Sequence, residues 1–140
     1  MLIKNFKGIH EFLSLDVPCD IEFNGMIFPT VRHAIIAAKT TDRSLHSLIV
    51  DSDLETAKVL EKEVFPHEVD ADIYSDKLVR IILEKYKNQN FYNQLLQLID
   101  ENDVIDYGDD DFNRILANST MFIKKYGLNY NKIIEELLCM

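Results

Sequence analysis

Residues 22–39, EFNGMIFPTVRHAIIAAK, constrain the fold of this chain more than any other stretch. Asn24-Gly25 is a turn dipeptide that favours a tight hairpin between two short apolar strands. Pro29-Thr30 follows and is a typical helix start, because a threonine hydroxyl at the N-cap accepts a backbone N–H. Apolar residues then recur at helical spacing. The sequence therefore predicts a small β-hairpin near residues 21–28, followed at once by a helix over about residues 30–40.

The composition favours helix over sheet. The chain has 140 residues, of which 47 % are hydrophobic and 28 % charged, and this suits one globular domain spanning residues 1–140. It contains Gly 4 and Pro 3, so few residues interrupt regular structure, and helix-forming Leu, Lys and Glu are frequent. We therefore expect a mainly α fold in which the hairpin is the principal β-element.

The charge balance excludes some partners. Lys+Arg 15 against Asp+Glu 24 gives a net charge of -9, which repels a nucleic-acid backbone and disfavours broad nucleic-acid binding. No apolar run reaches the roughly 20 residues of a membrane span, and the first residues lack a secretion signal, so we expect no membrane association. Cys19 and Cys139 are too few for a disulfide framework and suit a reducing cytoplasm. The sequence predicts a cytoplasmic protein.

Helical periodicity predicts further helices along the chain. They cover about residues 44–50, 54–65, 74–87, 91–98 and 112–125, with a last helix capped by Asn129 or Asn131. Pro66 is expected to end the second of these helices, and Gly127 is a C-cap candidate. Irregular structure is expected over residues 1–20, in an acidic turn at residues 70–76, and in an acidic loop at residues 100–111. Within that loop Val104-Ile105 should be extended.

The predicted helix at residues 30–40 is the first candidate for a binding site. Spacings of three and four residues place Arg32, Ile36 and Lys39 on one side of it. His33 and Lys39 are suited to act as a polar pair around an anionic ligand. The alternative interpretation is a surface helix with solvated charges and one satisfied histidine.

No metal site is predicted. The histidines have no metal-ligand spacing with each other, with cysteines or with carboxylates: His10, His33, His46 and His67. The acidic stretch at residues 103–108 does not fit a calcium loop, because Val104 and Ile105 fall where oxygen ligands are required. We also expect no cofactor.

Several motifs, in this order, resemble the NADAR or YbiA-like family of N-glycosidases. The turn, the Pro-Thr cap and the histidine-bearing helix of residues 25–39 carry most of the resemblance. Lys85-Tyr86 and Gln89-Asn90 are similar to a Lys-Phe-x-Gln-Asn stretch of the family, with one extra residue between. Tyr107-Gly108 looks like a Trp-Gly pair of the family, and Asn113 like the asparagine of its Gly-x-Asn segment.

The resemblance implies an α-helical hydrolase that cleaves the C–N glycosidic bond of an ADP-ribose-type compound or of a phosphorylated riboflavin precursor. Such a reaction passes through an oxocarbenium-like state, which needs a carboxylate and an acid or cation nearby. In this interpretation Asp103 or Asp106 supplies the carboxylate, and Tyr107 stacks on the base. The implied ligand-binding residues are Arg32, His33, Lys39, Lys85, Asn90, Tyr107, Gly108 and Asn113.

The departures from the family pattern fall on the chemistry. Arg32 stands where the family carries a glutamate, and Ile36 where it carries a glutamine. The chain has Trp 0, so every family tryptophan is absent. The family often has Phe-Leu-Ser-Asn-Phe near residue 12, whereas Leu15 and Asp16 replace its last two residues here.

Two explanations of the charge reversal at Arg32 remain open. Another acid, such as Glu22, Asp103 or Asp106, has taken the role of the glutamate. Alternatively, the domain only binds a nucleotide or sugar phosphate, with Arg32 as a phosphate clamp. A third possibility is an acidic interaction protein whose pocket has closed.

Overall fold

The computed structural model describes residues 1–63 and 69–140, with the backbone alone at Glu63. The strands are β1 (Leu2–Ile3), β2 (Ile21–Phe23), β3 (Met26–Phe28) and β4 (Val104–Ile105). The helices are α1 (Val31–Ala37), α2 (Arg43–Val50), α3 (Leu54–Glu63), α4 (Ala71–Tyr86), α5 (Gln89–Leu98), α6 (Asp111–Tyr126) and α7 (Tyr130–Leu138), with a 3-10 helix at Gly8–Leu13. The predicted end of the α3 helix, with Val64, Phe65 and Pro66, and the histidine His67 lie outside the described residues. The fold is mainly helical, as expected.

The predicted hairpin is confirmed. β2 and β3 pair antiparallel, with Ile21 opposite Phe28. Asn24 and Gly25 both have positive φ, 54° and 79°, as a two-residue turn that matches strand twist requires. Ile21 and Phe28 are fully buried, whereas Ile27 between them is exposed. The hairpin therefore lays one face on the core and fixes where α1 begins.

α1 lies at the centre of the core. Its N-cap is Thr30, whose hydroxyl oxygen accepts the backbone N–H of His33 at 3.1 Å. The helix packs against α2, α3, α4 and the hairpin. Its residues are almost all buried, including Ile36. α1 ends at Ala37, earlier than the predicted residue 40, so Lys39 lies beyond the helix.

α4 forms a second layer with α6 and α7. It begins at Ala71, because the Asp70 side chain caps it by accepting the N–H of Asp72 at 2.9 Å. The acidic turn expected over residues 70–76 is therefore wrong. Tyr74, in the first turns of α4, is buried and its hydroxyl donates to the Ile35 carbonyl at 3.1 Å, which ties α4 to α1.

β1 and β4 form a two-stranded parallel pair, with Leu2 opposite Val104 and Ile3 opposite Ile105. The extended piece at residues 104–105 is thus confirmed. The expectation of irregular structure over residues 1–20 is wrong in part, because β1 and the 3-10 helix lie there. Across residues 1–63 and 69–140, no helix has the length and apolarity needed to cross a membrane.

Candidate functional site

Three successive carbonyl oxygens, those of residues 13–15, receive hydrogen bonds from three distant parts of the chain. The Tyr107 hydroxyl donates to the first at 2.5 Å, Lys85 Nζ to the second at 3.0 Å, and the backbone N–H of Arg32 to the third at 3.0 Å. We call residues 13–16 the anchor segment. The structure therefore brings Arg32, Lys85 and Tyr107 of the sequence-predicted set together around one stretch of backbone.

Lys85 is fully buried. In the described part of the chain, its amine hydrogen-bonds to the Ser14 carbonyl and has no carboxylate within 4.0 Å. The rings of Tyr86 and Phe91 each lie with their centroid 5.4 Å from Nζ. Burial lowers the pKa of Lys85 to about 7. A buried amine with so depressed a pKa is typical of functional sites, although structural sites also show it.

The Arg32 side chain forms an ion pair with Asp16. Its Nε lies 2.5 Å from Asp16 Oδ1, and the other carboxylate oxygen lies 3.5 Å from Lys58 Nζ of α3. Sequence reasoning named Asp16 only as a departure from the family pattern and did not single out Lys58. The two cations are 16 and 42 residues from Asp16 in sequence, so no local periodicity could have linked them.

A shallow cleft of about 370 Å³ lies against the anchor segment. Its lining residues are Phe6, Lys7, Gly8, Glu11, Ser14, Asp16, Val17 and Pro18. Asp16 thus belongs both to the ion pair with Arg32 and to the wall of the cleft. A volume of this size is within the range of sites that hold small molecules, roughly 300–1,000 Å³.

Tyr107 is half-buried beside this cleft. Its ring packs on Phe6, with centroids 4.9 Å apart and planes tilted by 44°. Burial raises the pKa of the Tyr107 hydroxyl, which keeps it protonated as the donor to the anchor segment. The neighbouring Tyr86 hydroxyl is buried without a hydrogen-bond partner in the described residues. The interior next to the anchor segment is therefore more polar than a packed core.

His33 is a buried histidine with both ring nitrogens occupied. Nε2 donates to the Ser52 carbonyl at 2.9 Å, since a carbonyl oxygen can only accept. Nδ1 then accepts from the Thr30 hydroxyl at 2.7 Å. This arrangement matches the satisfied-histidine interpretation, because a ligand would have to displace one of these partners.

Lys39 and Asn90 lie apart from the anchor segment. Lys39 Nζ pairs with Glu61 of α3 at 2.6 Å. Since α1 ends at Ala37, Lys39 does not belong to the helix that carries Arg32. Asn90 is exposed in the first turn of α5, where its backbone N–H is bound by the side chain of Asn88 at 3.0 Å. Neither side chain hydrogen-bonds to the anchor segment among the contacts of the described residues.

The two predicted catalytic carboxylates hold backbone groups of the acidic loop. Asp103 accepts the N–H of Asp100 at 2.8 Å and lies 3.3 Å from the terminal amine of Met1. The Asp100 amide is the main reason that the pKa of Asp103 lies below its usual range. Asp106 accepts the N–H of Gly108 at 2.8 Å. Their catalytic roles stay predictions, and the contacts in hand are those of turn-forming carboxylates.

Gly108 and Asn113 pack directly on each other. Gly108 has φ +133°, and a Cβ there would lie 2.6 Å from Asn113 Nδ2. The Asn113 backbone N–H and side-chain amide both donate to Asp110, the N-cap of α6, at 2.8 and 3.0 Å. The resemblance to the family's Trp-Gly and Gly-x-Asn elements thus corresponds here to a close turn at the start of α6. Within residues 1–63 and 69–140, no group of His, Cys, Asp or Glu could hold a metal ion.

Comparison with known proteins gives no relative. No protein-family profile matches the chain, and no curated protein or solved structure is significantly similar to it. The resemblance to the NADAR or YbiA-like family therefore rests on the residues and motifs given above.

Proposed function

We propose that the chain is a divergent NADAR or YbiA-like domain that binds a small phosphorylated nucleotide or sugar, such as an ADP-ribose-type compound, without cleaving it. The observation that carries this proposal is the meeting of Arg32, Lys85 and Tyr107 at the anchor segment beside a cleft. Guanidinium and ammonium groups recognise phosphate, and an aromatic ring offers a surface for a base. The Arg32 guanidinium, 31 % exposed and paired with the cleft-lining Asp16, is the cation that supports phosphate binding, whereas the buried Lys85 holds the anchor segment.

Binding without cleavage is favoured by the state of the carboxylates. Glycosidic cleavage through an oxocarbenium-like state needs a carboxylate close to the reacting carbon. Arg32 occupies the position that resembles the family glutamate, and Asp103 and Asp106 bind backbone N–H groups of their own loop. A domain with these substitutions retains the means to hold a phosphate while lacking the arrangement that stabilises the transition state.

An N-glycosidase is the second candidate, and Asp16 is the observation in its favour. Its carboxylate lines the cleft beside the anchor segment. In this alternative Asp16 stabilises the positive charge of the sugar, a water molecule attacks the sugar carbon as the C–N bond breaks, and the departing base takes up the proton that this water releases.

One experiment separates the two functions. The protein is mixed with ADP-ribose, with ribose 5-phosphate, or with unphosphorylated ribose as the control, and binding is followed by thermal shift and calorimetry. A ligand that binds only the folded state raises its stability. We expect binding of the phosphorylated compounds alone, with no free base or ribose phosphate released on overnight incubation. Release of such a product that is lost in Asp16→Asn would favour the N-glycosidase.

A matched pair of variants locates the binding. Arg32→Gln should weaken the affinity for ADP-ribose by roughly tenfold, because one charge-assisted contact to phosphate is lost. Arg114→Gln is the control, since Arg114 is an exposed arginine paired with Asp111 at 3.4 Å, on α6. Equal affinities in the two variants, or no binding by the unmodified protein, would refute the proposal.

A further inference from the structure

We propose that Arg32 and Lys58 form a phosphate subsite next to the cleft and that the cleft-lining Asp16 carboxylate occupies this subsite in the unliganded protein. The inference rests on the proposed binding function and adds the position and charge of the group that is bound. It also assigns a role to Lys58, which no sequence motif singled out.

The Asp16 carboxylate contacts Arg32 and Lys58 in the way that a bound anion would. Each oxygen of the Asp16 carboxylate faces a different cation, with Oδ1 2.5 Å from Arg32 Nε and Oδ2 3.5 Å from Lys58 Nζ. The cations come from two helices, α1 and α3, so they are held at a separation that the loop carboxylate does not determine. Two oxygens of a phosphoryl group would meet the same two cations, because carboxylate and phosphate offer similar paired oxygens to arginine.

The carboxylate can leave without a change of fold. The Asp16 side chain is 30 % exposed and lines the cleft, and those of Arg32 and Lys58 are 31 % and 38 % exposed. The backbone at Asp16 is held separately, by its N–H on Ser14 Oγ at 3.1 Å. Rotation of the Asp16 side chain into solvent therefore uncovers both cations while the anchor segment stays in place.

The surrounding charges show which group neutralises Arg32 and Lys58 in the unliganded protein. The chain has a net charge of -9, and the Asp16 carboxylate lies between two of its cations. Among the residues that the structure describes, the other acidic partner of Lys58 is Glu55 at 3.9 Å, whose side chain is 86 % exposed, and such a pair is weak. Asp16 is thus the group that neutralises the two cations in the unliganded protein.

The arrangement selects ligands by charge. A ligand must compete with a carboxylate of charge -1 that is already attached to the chain. A phosphomonoester carries about -1.5 to -2 near pH 7, so it gains more from the two cations than Asp16 does. The subsite should therefore accept a terminal phosphate or diphosphate and exclude small monocarboxylates such as acetate.

The test is calorimetric titration of the full chain with inorganic pyrophosphate, ADP-ribose and acetate at low ionic strength, where charge effects are least screened. Asp16→Asn removes the competing charge and keeps the side-chain shape, so it should bind pyrophosphate about tenfold more tightly than the unmodified protein. Glu55→Gln is the matched control, because it removes one charge next to the same lysine without uncovering the subsite. Its affinity should change by no more than about twofold.

Two further variants test whether Arg32 and Lys58 themselves bind the phosphate. Adding Arg32→Gln to Asp16→Asn should abolish the gain, and Lys58→Gln alone should weaken ADP-ribose binding about tenfold even where Asp16→Asn folds poorly. Unchanged or weaker pyrophosphate binding by folded Asp16→Asn, or an unchanged affinity in Lys58→Gln, would overturn the subsite. If the unmodified protein still bound ADP-ribose in that case, the binding function would stand and only the subsite would fail. Absence of binding in every variant would overturn both.

Discussion

The anchor segment receives hydrogen bonds from sequence-predicted site residues, the acidic loop at residues 100–111 contains others, and the two regions differ in the sequence separation of their hydrogen bonds. In the acidic loop Asp103 and Asp106 accept backbone N–H groups two or three residues away, those of Asp100 and Gly108. At the anchor segment the donors Lys85 and Tyr107 are 71 and 94 residues away from their acceptors. Hydrogen bonds between residues close in sequence shape a turn, whereas hydrogen bonds between residues far apart in sequence hold several elements of the fold together.

The two regions also differ in how their charges are satisfied. In the acidic loop the buried Asp103 carboxylate faces the Asp100 N–H and the terminal amine of Met1. Lys85 at the anchor segment is fully buried beside a single carbonyl. A buried amine without a counter-ion destabilises a fold. The comparison therefore indicates that the buried amine of Lys85 at the anchor segment lowers the free energy of unfolding, whereas the carboxylates of the acidic loop do not.

The largest effect is expected from Lys85→Met, which replaces the buried amine by an apolar side chain of similar length. At pH 6 the variant should be more stable than the unmodified protein by about 2 kcal/mol or more, because the charged amine no longer has to be buried. Urea denaturation at pH 6 measures this difference. A destabilised variant would show that the bond to the Ser14 carbonyl outweighs the cost of burial.

The pH dependence of the stability difference between the unmodified protein and Lys85→Met tests whether burial of the charged amine causes that difference. Below pH 7 Lys85 is charged in both folded and unfolded chains, so the full cost of burial is present. Between its folded pKa of about 7 and the unfolded value of about 10.4, the unfolded chain binds the extra proton, and the stability of the unmodified protein rises by about 1.4 kcal/mol per pH unit from this group. The advantage of Lys85→Met should therefore shrink from pH 7 to pH 10. A pH-independent difference would contradict the account.

The next effect concerns the acidic loop. Gly108→Ala should destabilise the fold by about 1–3 kcal/mol, because φ +133° is a strained conformation for alanine and its Cβ would contact Asn113 Nδ2 at 2.6 Å. Asn113→Ala in the same chain removes the contact and should recover part of the loss, while the backbone strain remains. Thermal denaturation of the two variants measures both parts. Affinity for ADP-ribose should be unchanged in the folded protein if the loop only shapes a turn.

The smallest effects separate capping from catalysis. Asp110→Ala removes the N-cap of α6 and should cost about 1 kcal/mol of stability, as N-cap losses do. Asp106→Asn keeps an oxygen that can accept the Gly108 N–H, so its stability should change by less than about 0.5 kcal/mol. Neither should alter ligand affinity. A product released by the unmodified protein but not by Asp106→Asn would instead return this residue to a catalytic role.

The sequence predicted the elements whose signals are local. The Asn24-Gly25 turn, the Thr30 cap and the cap at Asn129 are all present, because each depends on residues within a few positions of one another. The pairing of β1 with β4 is not predicted from the sequence, since each strand has only two residues and their partners, such as Leu2 and Val104, are far apart in the chain. α4 begins at Ala71, before the predicted start at residue 74, because Asp70 acts as its N-cap.

The sequence predicted some residues of the candidate site and missed others. The residue types of Arg32, Lys85 and Tyr107 were identified through motifs, and the fold brings them to one segment. The Asp16 partner of Arg32, together with Lys58, was missed because an ion pair across three elements depends on packing. His33 looked equally suited to a ligand, but its two ring nitrogens have partners that only the folded chain provides.

The most direct test of the account is a nuclear magnetic resonance titration of the isotope-labelled full chain with ADP-ribose. The account predicts amide shifts concentrated at residues 14–16, Arg32 and Lys58, with the sugar proton signals of the ligand unchanged over hours. Shifts confined to the acidic loop, or to the separate cleft between the hairpin and α4 that Glu22 and Lys77 line, would contradict it. So would the absence of shifts, or conversion of the ligand to a free base.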